Sequence, residues 1–195
     1  MKTRQITQGL VGAAAGLGVC ALVIWQASSA AFTGTTENGV NIFDAATITL
    51  SDDDTNSVMF DTGVTPLVPG DAQERCITVE YTGTSFDLDP VVLYGDLPVN
   101  TDDFGAQLDL VVQEGTGGNF GDCTGFVSSS TLYSGTLSDF AATHSDYGSG
   151  VTAFTPSSGD VSRTYRFSVT LGTDTPDTSQ GDGATATFTW EIQSA

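Results

Sequence analysis

The sequence predicts an all-β fold: an antiparallel, jelly-roll-like β-sandwich of about eight strands, preceded by an N-terminal signal or hydrophobic segment. Three observations lead there. Several runs alternate apolar and polar residues with period two, the pattern of a strand with one buried and one wet face. Clusters of Gly, Pro, Asp and Ser punctuate those runs. The composition, with 23 glycines among 195 residues and serine and threonine as the main polar residues, suits strands and turns better than helices. Chain length fits one domain plus a targeting segment.

Taken in order, residues 1–31 read as an export signal. Lys2 and Arg4 form a basic start, Gly9 to Trp25 is an unbroken apolar and glycine stretch, and Gln26-Ala27-Ser28-Ser29-Ala30-Ala31 offers small residues for cleavage after Ala30 or Ala31. The apolar stretch also reaches the lower limit for a membrane span, so an uncleaved anchor, with the domain outside, is the alternative. Cys20 follows Val19 where a lipobox requires a small residue, and it reads as part of the apolar run. Residues 32–195 then form a single β-sandwich domain.

That domain opens with a polar, glycine-containing leader, Phe32 to Gly39. Strand patterns follow at Ala46, Ile48 and Leu50; at Val58 and Phe60, a short one; at Ile77, Val79 and Tyr81; and at Leu108, Leu110 and Val112. Val91 to Tyr94 is a short apolar run with the character of a strand buried on both faces. The longest alternations are Tyr165, Phe167, Val169 and Leu171, then Ala184, Ala186, Phe188, Trp190 and Ile192. Turn signals stand at Pro69-Gly70-Asp71, Gly115 to Gly118, Pro156 to Gly159 and Asp174 to Gly183, and Leu137 to Thr143 suits a connecting helix. In an exported chain the two remaining cysteines, Cys76 and Cys123, suggest a disulfide. Cys76 has the opposite parity to Ile77, Val79 and Tyr81, so the bridge is expected to strap the glycine-rich loop around Cys123 over an outer face.

Charge narrows the choice of partners. All 24 acidic residues lie beyond position 31, where Arg75, Arg163 and Arg166 are the only basic ones. Such a field repels a phosphate backbone and argues against nucleic acid. It also repels anionic lipid, leaving the N-terminal segment as the one expected membrane contact. It attracts counter-cations, and reads either as a solubility device or as the setting for a divalent-cation site.

Catalytic patterns are missing from the sequence. His144 is the only histidine, so no paired-histidine zinc motif exists. No serine sits in a nucleophile elbow, and no phosphate loop or dinucleotide fingerprint occurs. The chain is therefore expected not to be an enzyme and to need no cofactor except, as one option, calcium. The calcium candidate is Asp52, Asp54 and Asn56, which match the first three oxygen ligands of a calcium loop. Ser57 and Gly63 then replace the usual glycine and bidentate glutamate, so the pattern also fits a solvated turn. Asp87, Asp89, Asp102 and Asp103 are weaker oxygen groupings.

Four stretches carry a family resemblance: WQASSAAFTGT from Trp25, FDAATITLSDDD from Phe43, PGDAQERCITVEYTG from Pro69, and the closing Phe188-Thr189-Trp190-Glu191. In this order they resemble the TasA/camelysin family of SipW-type signal-peptide proteins, in its actinobacterial branch. The resemblance implies a jelly roll exported to the cell surface or biofilm matrix, with subunits joined into fibres by donation of an N-terminal strand. Here that strand would be the leader, with Phe32, Thr33, Gly34 and Thr35 as assembly residues and Phe32 as the pocket-filling anchor. The alternatives are a leader that stays disordered, a camelysin-type metalloendopeptidase, and a surface module that binds carbohydrate or protein.

Overall fold

A computed structural model describes residues 33–36, 48–60, 67–83, 88–156 and 159–193. The export-type segment 1–31, with Phe32, lies outside the described residues. Residues 33–195 belong to one compact unit. Its strands are β1 Thr33–Thr36, β2 Ile48–Asp52, β3 Ala72–Gly83, β4 Val91–Asn100, β5 Leu108–Thr116, β6 Val127–Thr136, β7 Val151–Phe154, β8 Val161–Leu171 and β9 Ala184–Gln193. Among the described residues one α-helix, α1 Leu137–Thr143, links β6 to β7, and 3-10 turns occupy Thr101–Gln107 and Asp177–Ser179. Thr136 caps α1 by accepting the Asp139 N–H (3.1 Å).

The strands form two antiparallel sheets, in the orders β1-β9-β4-β7 and β2-β3-β8-β5-β6. With β2 set aside, the order 1-9-4-7 against 3-8-5-6 is that of an eight-stranded jelly roll, and β2 extends one edge by pairing with β3. Alternation sets the inner faces. Ile77, Val79 and Tyr81 of β3, Leu110 and Val112 of β5, and Tyr165 and Phe167 of β8 are fully buried, as is Trp190 of β9. An aromatic spine joins the two sheets: Phe167 lies 4.6 Å from Phe188 and Tyr165 5.3 Å from Trp190, ring centre to ring centre. Such pairs add about 0.5–1.5 kcal/mol each beyond their burial.

β4 is buried on both faces at its start. Val91 and Leu93 enter the core, while Val92 is covered from outside by the chain near Gly150. This agrees with the unbroken apolar run there.

Two features depart from the sequence pattern. Val58 and Phe60 form no strand: Val58 is 61% exposed and the intervening Met59 enters the core. The chain reverses at Thr55 and Asn56, both in left-handed conformation (φ 52° and 65°), and arrives with the opposite parity and no ladder partner. Conversely, β6 is a ten-residue strand with no buried residue. It holds its place by pairing with β5 along a serine- and threonine-rich edge, where no apolar alternation marks it.

Candidate functional site

Two places gather the residues singled out in the sequence: the turn after β2 and the outer edge of β9.

The turn begins as β2 ends. Asp52 Oδ1 accepts the Asp54 N–H (3.2 Å), and Asp54 Oδ1 accepts the Asn56 N–H (2.7 Å). Asp54 is completely buried, and its Oδ2 has no hydrogen-bond partner. Burial, with the neighbouring Asp52 and Asp53 charges, pushes its carboxyl up to about 6. Asp52, Asp54 and Asn56 thus lie in one tight turn. Asp53, between them, turns the other way. Its Oδ1 accepts the Thr78 N–H of β3 (2.7 Å) and its Oδ2 the Phe120 N–H (2.8 Å). It is a clamp rather than a ligand, and a run of three aspartates gives no sign of that.

Phe120 belongs to the loop carrying Cys123. The Cys76–Cys123 disulfide is formed, with Cα atoms 5.2 Å apart. Cys76 is fully buried yet stands apart from the main core, beneath this loop on the outer face of β3. Gly121 N–H donates to the Cys76 carbonyl (2.8 Å). Close approach explains the glycines: Gly117 has φ +80°, and a Cβ there would stand 2.3 Å from the Gly125 carbonyl oxygen. Asp53, the disulfide and the Gly121 bond together fasten the loop to β3.

At the β9 edge, β1 pairs antiparallel with the end of β9, from Thr33 opposite Gln193 to Thr36 opposite Trp190. The assembly residues Thr33, Gly34 and Thr35 therefore lie in a strand of the same chain, while Phe32 lies outside the described residues. The β9 strand under this edge is well fixed. Trp190 and Ile192 are buried in the core, and on the other face Glu191 accepts from Tyr94 Oη (2.7 Å) and Gln193 Nε2 (2.8 Å).

The remaining candidates are dispersed. His144 Nδ1 sits 2.7 Å from the Ser149 carbonyl oxygen, with its ring against Tyr133 and Phe140, in a packing role. Asp103 accepts from Asn100 Nδ2 and Ser138 Oγ (both 2.9 Å) and, with Asp102, takes a left-handed conformation in the turn before β5. Asp89 lies beside the end of β9, its N–H on the Gln193 carbonyl (3.1 Å), and Asp87 is outside the described residues. Among the described residues no group of three His, Cys, Asp or Glu side chains is arranged to hold a metal, so a cation at the β2 turn would rely on Asn56, backbone or water oxygens besides Asp52 and Asp54. Comparison with family models and with characterised proteins finds no match to this sequence.

Proposed function

We propose that this protein is an exported structural subunit of the cell surface or extracellular matrix, which self-associates into filaments by strand addition at the β9 edge. One observation carries the reading. Among the described residues, the edge beside β9 is completed by four, Thr33–Thr36, drawn from the polar leader that precedes the sandwich. An edge strand presents unpaired backbone groups, and any extended segment of suitable sequence satisfies them. The same leader in a second copy makes the same ladder. That contact is head-to-tail, so it need not close and can propagate. Framework motifs shared with the TasA/camelysin family, the export-type N-terminus and the lack of a catalytic pattern in the sequence support the same reading.

Removal of residues 32–39 from the processed protein tests it. Light scattering and negative-stain microscopy are expected to show filaments with the leader and none without it, while circular dichroism of the truncated form stays that of a β-sandwich. Identical filaments from the truncated protein would rule out strand donation by this leader.

A further inference from the structure

We propose that the turn Asp52–Asn56 is a structural calcium site, with the Asp54 and Asp52 carboxylates as charged ligands and the Asn56 side-chain oxygen as a neutral one. The proposal stands apart from filament assembly and does not depend on it.

The buried carboxyl of Asp54 is the starting point. An ionised carboxylate out of water costs several kcal/mol unless a countercharge or hydrogen bonds compensate it. Asp54 Oδ1 has the Asn56 N–H, but Oδ2 has nothing, and its nearest charges, Asp52 and Asp53, are of the same sign. No basic side chain of the described residues answers it. Arg75 donates to the Glu74 carbonyl and lies over the Phe60 ring. Arg163 pairs with Glu114, and Arg166 with Gln113 and Glu74. Two compensations remain, a proton or a metal ion.

The spacing and chemistry of the donors favour the ion. Side chains at alternate positions 52, 54 and 56 of a tight turn are how a calcium loop gathers its first oxygens. All three groups are hard oxygen donors, which suit Ca²⁺ over softer transition metals. The overall charge of −19 raises the local concentration of any divalent cation. Ser57 and Gly63 break the helix-loop-helix version of this motif, but here the loop leaves a strand, so the helix-loop-helix spacing is not the one required.

The site has a structural consequence. Asp53, inside the same turn, holds both β3 and the disulfide-bonded loop. An ion on Asp52 and Asp54 would fix the turn and, through Asp53, the loop.

The test uses the full chain, stripped with chelator and titrated with calcium by calorimetry and thermal unfolding. Sodium and magnesium chloride at matched ionic strength serve as screening controls. One saturable site and a calcium-dependent rise in Tm are expected. Asp54→Asn should retain its Tm in chelator, since it removes a buried charge, but bind calcium at least about tenfold more weakly and lose the Tm response. Asp52→Asn should behave alike, and decides the matter if Asp54→Asn does not fold. The proposal is overturned if calcium leaves the wild type unchanged, as a proton shared between the carboxyls would produce. It is equally overturned if both variants respond as the wild type does, or if sodium at matched ionic strength reproduces the effect.

Discussion

Three consecutive aspartates do different work because backbone parity and one tight turn point them differently. Asp54 is turned inward and fully buried, Asp52 caps the turn, and Asp53 reaches across to Thr78 and Phe120, which are 25 and 67 positions away in sequence. The oxygen spacing of 52, 54 and 56 was legible from the chain alone, although Asp54 is buried and Asn56 exposed. The role of Asp53 was not, because both of its partners are brought to it by tertiary folding. The clamp makes a definite prediction. Asp53→Ala leaves two backbone N–H groups without their charged acceptor, and hydrogen bonds to charged groups are worth about 1.5–3 kcal/mol each, less whatever water recovers. Urea unfolding should therefore show a loss of about 2–4 kcal/mol. Asp53→Asn, which offers one acceptor oxygen in place of two, should lose roughly half of that. An Ala variant as stable as the wild type would mean that solvent replaces both bonds at no cost.

Among the elements, those with a long regular alternation were readable, and two that are short or lie at a sheet edge, β6 and β7, were not. β8 and β9 alternate throughout and supply the aromatic spine, and the helix at Leu137–Thr143 lies where its sequence suggests. β6 shows no such pattern because it is an edge strand with no buried residue, and β7 is four residues long. The place of the disulfide was also readable, because the parity of Cys76 directs it away from the core. The bridge closes a loop across 47 positions, for which chain entropy gives roughly 4 kcal/mol of stabilisation. Its removal as the double Cys76→Ser, Cys123→Ser variant should lower stability by about 2–4 kcal/mol in denaturant titration. The sandwich itself should persist, since neither cysteine belongs to the main core cluster. Loss of the far-ultraviolet β signal at 25 °C in that variant would show that the loop is required for the fold.

For the molecule as a whole, charge and topology act in opposite directions on association. A formal charge of −19 makes any two copies repel at low ionic strength. The Debye length falls from about 30 Å at 0.01 M salt to about 10 Å at 0.1 M, so the barrier to approach should collapse over that range. If the proposed filaments form, their growth, followed by light scattering, should accordingly accelerate with sodium chloride between those concentrations. Growth that slows with salt would point to attractive charge pairing between subunits instead. Topology was the least legible level, because which strand lies beside which depends on crossovers between sheets that local patterns do not encode. The pairing of Thr33–Thr36 with β9 inside a single chain has a kinetic corollary. A monomer that closes its own edge is latent. A tethered segment competes at an effective concentration in the millimolar range, far above that of free copies in dilute solution. In the proposed assembly each molecule would release its own strand before accepting a neighbour's, so the rate of association at any protein concentration would be scaled down by the small fraction of molecules open at that moment.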